Sequence, residues 1–232
     1  MNTNSSVNYR PTADEKQKFI TRTYMWMGLA LIISAVAAFY TSTNEQMIQM
    51  LFSNKAMGFK VLAIVELALV FILSMTLRSI SVFGAALMFI SYSIINGITL
   101  SAIFLVFDLG SIAFCFGGAA AMFIVMSIYG KATKQDLSKA GHYLLMALLG
   151  LIVVSLINWL MKSPMLDWLI SMATVVIFTG LTAYDTQKIL RTAQRANDSE
   201  AYKKIAIIGA LELYLDFINI FLSLLRLFGK RR

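Results

Sequence analysis

Long apolar stretches without a charged side chain are the feature that most limits what this sequence can fold into. Residues 144–160, for example, contain no Asp, Glu, Lys or Arg. A helix needs about 20 apolar residues to cross roughly 30 Å of hydrocarbon. Hydrophobic residues make up 59% of the 232 residues and charged residues only 14%, which is more apolar surface than a soluble domain of this size can bury. The sequence therefore predicts an integral membrane protein that lies in a lipid bilayer.

The apolar runs are spaced for an all-α membrane protein with seven transmembrane helices. We place the spans near residues 22–42, 57–77, 82–106, 111–130, 142–162, 165–187 and 205–228. This divides the chain into a polar amino-terminal tail (1–21), a transmembrane domain (22–229) and a basic carboxyl-terminal tail (230–232). A polar tail precedes the first run, which is long enough to span, so we interpret it as a retained helix and not as a cleaved signal.

The distribution of Lys and Arg predicts which side of the membrane each loop occupies. The net charge is +8, and most loop cations fall on the side of the amino terminus, which predicts that this terminus is cytoplasmic. The tail 230–232 is an exception, because a seventh span puts it on the opposite side, so the side of the carboxyl terminus stays open. The cations are scattered singly at span ends, and this pattern does not indicate nucleic-acid binding.

Two aspartates in the last two spans are the strongest candidates for function. Charged side chains inside a membrane are costly and usually functional. Asp216 lies roughly 16 Å along its helix from residue 205, at a rise of 1.5 Å per residue, and so falls near the membrane centre. Asp185 lies in the preceding span, three residues before Lys188, and an interfacial position facing water is the alternative for it. Two carboxyl groups that meet in a low-dielectric bundle share a proton or bind a cation between them.

Four further residues are candidates, three for their position relative to the aspartates and the fourth, Glu66, as another acid within a hydrophobic run. Glu212 and Asn219 are four residues before and three residues after Asp216, and therefore lie on the same helical face. Arg78, at the cytoplasmic end of span two, lies at the membrane level of Asp185 and is a candidate electrostatic partner, although a charge that only orients the helix is the alternative. Glu66, deeper in span two, is a secondary candidate.

Several polar side chains also follow one another in span three, where residues 91–101 include Ser, Tyr, Asn and Thr. A helix that faces only lipid would carry fewer polar groups, so we expect several of them to point inward, either bonding to neighbouring helices or lining a hydrated path. Hydrolases of the serine, cysteine or zinc type are excluded, because a single His and a single Cys supply too few bases or ligands.

The last span also carries a motif. Residues 211–228, reading LELYLDFINIFLSLLRLF and followed by Gly229, resemble the terminal signature of the transmembrane Bax inhibitor motif family. Further matches are Tyr184-Asp185 with TQKI after it, the NGITL stretch at 96–100, and Arg78 at the end of span two. The resemblance covers essentially the whole chain beyond the first 20 residues, and the short tails are typical of a bacterial member.

This resemblance implies a seven-helix bundle with the last helix at its centre. It also implies a pH-sensitive calcium leak, with calcium and protons as the partners, Asp185 and Asp216 as the cation-binding pair and pH sensor, and Arg78 as the residue that locks the closed state. The part played by Glu212 is less defined, because the family varies there. We expect no cofactor and no enzymatic activity, and a location in the bacterial cytoplasmic membrane.

Two other classes of function remain open from the sequence. Aspartates on successive membrane helices are also the arrangement of intramembrane aspartyl proteases, in which one acts as base and the other as acid. Those enzymes carry Gly-x-Gly-Asp, whereas Glu-Leu-Tyr-Leu precedes Asp216, and a later Pro-Ala-Leu element is absent from this sequence. The second alternative is a regulator that binds another membrane protein, such as a protease.

Overall fold

The computed structural model describes residues 11–76 and 79–232, with the side chains of 54–56 left aside, and all its regular elements there are helices. In chain order the helices are α1 (Ala13–Thr43), α2 (Glu45–Thr76), α3 (Val82–Leu100), α4 (Ala102–Val106), α5 (Leu109–Ala132), α6 (Ser138–Met161), α7 (Pro164–Ala193) and α8 (Glu200–Phe228). Seven helical segments in these ranges are long and apolar enough to cross a membrane, with α3 and α4 forming one span around Ser101. The predicted all-α, seven-span fold is confirmed.

Helix ends follow from short polar residues at the caps. Helix α1 begins before the predicted span because Thr12 and Glu15 form a reciprocal capping box: Glu15 N donates to Thr12 Oγ1 (3.2 Å) and Thr12 N donates to Glu15 Oε2 (2.8 Å). Ser163 caps α7, whose first residue is proline, and proline is tolerated there because the first helical N–H has no partner within the helix. Short connections between such ends make consecutive helices neighbours.

Helix α8 lies at the centre of the bundle. It packs against α1, α3, α5 and α7, and Leu213, Tyr214 and Ile220 are fully buried. Helices α2 and α6, in contrast, bury few side chains and form part of the outer wall. The central position of the last helix, which the family resemblance implied, is confirmed. Polar groups on the buried face of α8, such as Tyr214 and Asp216, therefore lie inside the protein and away from lipid.

One carboxylate outside the membrane-spanning segments helps to attach the α5–α6 connection to α7. Asp136 Oδ1 accepts hydrogen bonds from Ser138 N (2.8 Å) and from Arg191 Nη2 (2.6 Å). The hydrogen bond from Ser138 and the Arg191 guanidinium lower the pKa of Asp136 to about 2. Because this pKa lies below the unfolded value of about 3.9, the stabilisation is present above that value and is lost as the pH falls towards about 2.

We therefore expect Asp136→Asn to reduce thermal stability at neutral pH and to flatten the loss of stability between pH 4 and pH 2. The unfolding temperature, measured across this pH range in detergent, checks the prediction. Asp14→Asn is the matched control, because Asp14 is an exposed carboxylate whose ion pair with Lys18 lies within one helix. Identical acid dependence in the wild type and in Asp136→Asn would contradict the assignment.

Candidate functional site

Asp185 and Asp216 meet where α7 packs against α8. Asp185 is 8% exposed and Asp216 is 3% exposed, and the two carboxyl groups are close neighbours that influence one another electrostatically. Thr182, one turn before Asp185, lies beside Asp216, and its hydroxyl donates to the carbonyl oxygen of Phe178 (2.8 Å). Asp216 Oδ2 is buried and accepts no hydrogen bond from any described residue. The structure thus brings the two predicted residues together inside the protein, and the alternative of a water-facing Asp185 is not what it shows.

An ion pair lies next to the aspartates, one turn closer to the amino-terminal end of α8. Lys188 Nζ is 2.6 Å from Glu212 Oε1, and both side chains are partly exposed. Lys188 follows Asp185 by three residues in α7, and Glu212 precedes Asp216 by four residues in α8. The Lys188–Glu212 ion pair therefore lies one helical turn from the aspartates, on the same faces of the two helices. We refer to Asp185, Asp216, Glu212 and Lys188 as the carboxyl cluster. The carboxyl cluster contains three carboxyl groups and one ammonium group.

A small cavity of about 60 Å³ adjoins Glu212 and Lys188. Its other walls come from the amino-terminal part of α1, the end of α7 and the start of α8, through Phe19, Ile189, Thr192, Ile205, Ile208 and Gly209. These segments belong to the side of the bundle where α1 begins. Glu212 and Lys188 thus line this cavity on one side and neighbour the buried aspartates on the other.

Arg78, the predicted gating partner, lies outside the described residues. The connection that follows it does contact α8, because Lys204 Nζ donates to the carbonyl oxygen of Ile80 (3.0 Å). Within the ranges that the structure describes, Lys188 is the cation at the carboxyl cluster, and sequence reasoning missed this role. Its spacing of three residues from Asp185 was the available signal.

The secondary candidates Glu66 and Asn219 are not joined to the aspartates. Glu66 accepts hydrogen bonds from Thr99 Oγ1 and from Asn96 Nδ2 (3.3 Å). Asn96 Oδ1 in turn accepts from the Tyr214 hydroxyl (2.8 Å), so Glu66 belongs to a second polar group between α2, α3 and α8. Asn219 Nδ2 donates to a carbonyl oxygen of its own helix, that of residue 215 (2.7 Å).

The second polar group continues into α1. The Ser34 hydroxyl lies 2.6 Å from the Tyr214 hydroxyl and 2.7 Å from the carbonyl oxygen of Ser93. Several of the polar side chains of span three, including Asn96 and Thr99, thus bond to neighbouring helices, which is one of the two outcomes expected for them. These hydrogen bonds connect four helices in a region where water is scarce, and they position Tyr214 two residues before Asp216.

Asp185 and Asp216 are the residues that the sequence suggests as cation ligands. Across residues 11–76 and 79–232, no three His, Cys, Asp or Glu side chains converge closely enough to hold a metal ion. The oxygen atoms at the aspartates come from two carboxyl groups and the Thr182 hydroxyl. Oxygen ligands of this kind suit hard cations such as Ca²⁺, which accepts six to eight of them including water.

Seven spans, with α8 at the centre and a buried carboxyl pair between α7 and α8, define a polytopic α-helical integral membrane protein. The chain belongs to the Bax inhibitor family, since the family model described as "Inhibitor of apoptosis-promoting Bax1" matches residues 16–232.

Bacterial relatives match along almost their full length. A protein of Borreliella burgdorferi, described as uncharacterized, is 44% identical over 218 residues, which are 94% of each chain. Inner membrane protein YbhL of Escherichia coli K12 is 42% identical over 218 residues, 93% of each chain. A Deinococcus radiodurans protein, also described as uncharacterized, is 38% identical over 226 residues, 97% of this chain and 96% of the relative. The family resemblance stated from the sequence motifs is therefore confirmed.

Proposed function

We propose that this protein is a pH-gated pathway for cations, calcium above all, with Asp185 and Asp216 as its sensor and its cation-binding pair. The observation that carries the proposal is the close approach of these two carboxyl groups, both buried inside a membrane bundle. A purely structural pair at this depth would be expensive, because each carboxylate has lost its water.

Charge explains how such a pair responds to pH. Two carboxylates in contact repel one another in a low dielectric, so the pair holds a shared proton or a cation. Loss of the proton leaves a negative site that attracts a divalent cation, whereas gain of a proton removes that attraction. Protonation also changes the hydrogen bonds between α7 and α8, the helices that carry the pair, and so favours a different packing of the two.

The ion pair of Glu212 and Lys188 supports a route from the side on which α1 begins. Glu212 adds a third carboxylate on the same face of α8, one turn before Asp216, while Lys188 offsets part of the negative charge. We infer that this side is cytoplasmic, because most of the loop lysines and arginines fall there. The pH that the carboxyl cluster senses is then that of the cytoplasm.

Calcium flux into liposomes tests the proposal. The purified protein is reconstituted with a calcium-sensitive dye inside, and the initial rate of flux is recorded at several pH values between 6 and 8. We expect the wild type to give pH-dependent flux, and the double variant Asp185→Asn, Asp216→Asn to give a rate at least tenfold lower with no pH dependence.

Asp14→Asn is the control for loss of a carboxylate, because Asp14 is exposed and forms its ion pair with Lys18 in α1, outside the carboxyl cluster. It is expected to conduct as the wild type does. Flux in the double variant that stays undiminished and keeps its pH dependence would eliminate the proposal.

A further inference from the structure

A large cleft opens at the opposite end of the bundle from the carboxyl cluster's cavity. It has a volume of about 700 Å³ and lies where α6 ends, α7 begins and α8 ends. Its walls combine buried polar side chains such as Ser171 with charged groups and two tryptophans. We call this space the outer cleft. The proposed cation pathway does not include the outer cleft. The charged side chains that line it are suited to binding a separate ligand.

Two arginines supply the positive charge of the outer cleft. Arg226 lies in the last turn of α8 and Arg231 in the tail that follows. The tail is attached to the protein by backbone hydrogen bonds, from Arg232 N to the carbonyl oxygen of Val106 (3.0 Å) and from Asp108 N to that of Lys230 (3.1 Å). These hydrogen bonds hold Arg231 at the outer cleft, whereas a tail without them would not fix its position.

Both guanidinium groups are available to a ligand. Within the described part of the chain, neither Arg226 nor Arg231 is within ion-pair distance of a carboxylate. A guanidinium group binds phosphate oxygens through two parallel N–H bonds, and it is less strongly hydrated than an ammonium group. Two of them line one cleft and supply donors that suit the oxygen atoms of a phosphate group.

One carboxylate lies in the same cleft. Asp167 Oδ1 accepts a hydrogen bond from Asn158 Nδ2 (2.6 Å), and Asn158 Oδ1 accepts from Ser163 N (3.0 Å). Asn158 is only 4% exposed, so a buried amide holds Asp167 in place. A carboxylate accepts several hydrogen bonds. Among the side chains that the structure describes, only Asn158 donates one to the Asp167 carboxylate. Asp167 can therefore accept from an ammonium group.

The tryptophans place the cleft at the level of the lipid headgroups. Trp159 is 75% exposed and Trp168 is 50% exposed, and both line the cleft. Tryptophan is enriched where the membrane meets water, because its ring is apolar and its N–H is polar. A cleft at this level is reached directly by the headgroup of a lipid in the adjacent leaflet.

We propose that the outer cleft binds the headgroup of a zwitterionic phospholipid, with the phosphate on Arg226 and Arg231 and a primary ammonium group on Asp167. Two guanidinium groups and one carboxylate match the charges of phosphatidylethanolamine. Phosphatidylglycerol offers the phosphate without the ammonium group, and phosphatidylcholine offers a quaternary ammonium group that cannot donate a hydrogen bond. The inference does not depend on the cation pathway.

Lipid binding to the purified full-length protein tests the assignment. The protein is stripped of lipid in detergent, and the dioctanoyl forms of phosphatidylethanolamine, phosphatidylglycerol and phosphatidylcholine are titrated in, with inorganic phosphate in a separate arm. Native mass spectrometry gives the dissociation constants. We expect phosphatidylethanolamine to bind most tightly, and Arg226→Gln or Arg231→Gln to weaken it by roughly tenfold each, the loss of one charge-assisted contact.

Asp167→Asn tests the contact with the ammonium group independently of the contact with the phosphate group. It is expected to reduce phosphatidylethanolamine binding to the level of phosphatidylglycerol while leaving phosphatidylglycerol binding undiminished. Arg232→Gln is the matched control, since it removes the same charge from the same tail at a residue that does not line the cleft, and it is expected to change neither lipid. All four substituted side chains are exposed, so the lipid-free unfolding temperature is expected to stay at the wild-type value.

Three outcomes would overturn the proposal. Lipid binding unchanged in both arginine variants would remove the phosphate site. Inorganic phosphate binding as tightly as phosphatidylethanolamine would make this a site for a free anion. An equal loss of both lipids in Asp167→Asn would remove the ammonium contact.

Discussion

Replacing either buried aspartate alone is expected to lower the pH-dependent calcium flux about as far as replacing both, by tenfold or more. The two carboxyl groups are close neighbours at the α7–α8 interface, and an asparagine at either position can neither share a proton with its neighbour nor add charge to a cation site. Asp185→Asn and Asp216→Asn are therefore each expected to abolish the function of the aspartate pair as a whole. Residues that act as a unit give strongly non-additive effects, with coupling free energies of about 0.5–3 kcal/mol.

The measurement is a double-mutant cycle on the initial flux rate in liposomes, at one acidic and one neutral pH. Asp167→Asn, at the far end of α7, is a control on the same helix, and its effect is expected to add independently to either aspartate variant. Additive losses from Asp185→Asn and Asp216→Asn would show two independent sites and would contradict a shared sensor.

The fold could be predicted from sequence because the bilayer imposes a length and a composition on every span. Which helix is central could not be predicted from hydropathy, since α6 has the highest mean hydropathy of the seven spans and is among the least buried. In a membrane the lipid is as apolar as a protein core, so burial does not select the most apolar helix. The buried α8 instead carries the polar residues Tyr214 and Asp216, and the family motif pointed to its central position.

The aspartates could be proposed as a pair because charge inside a membrane needs a partner. The same rule did not reveal which partner each remaining charge takes. Glu66 and Glu212 are both acids in apolar helices, yet Glu66 bonds to Thr99 and Asn96 while Glu212 pairs with Lys188. The choice depends on how each helix is rotated about its axis against its neighbours, and residue spacing within one helix carries no information about that rotation.

Close approach of α1 and α3 depends on a glycine that both the family resemblance and the structure single out. A Cβ atom on Gly97 would lie 2.5 Å from the carbonyl oxygen of Ser34, 2.9 Å from its Cα and 2.7 Å from the Cβ of Ala37. Two of these atoms belong to the backbone, so they cannot turn aside as the end of a long side chain would. Small residues at such crossings let helix backbones approach within a membrane, where packing replaces the hydrophobic effect as the force between helices.

Gly97→Ala is therefore expected to push α1 and α3 apart and to cost about 1–3 kcal/mol of overpacking, a loss that outweighs the gain of up to about 1 kcal/mol in helix propensity. The same displacement stretches the contact of the Ser34 hydroxyl with the carbonyl oxygen of Ser93. Unfolding by sodium dodecyl sulfate in mixed micelles measures the difference. Gly117→Ala is the control, because a Cβ there meets nothing within 4 Å, and it is expected to be neutral or slightly stabilising. Equal stability of the two variants would show that α1 and α3 accommodate a methyl group at their crossing.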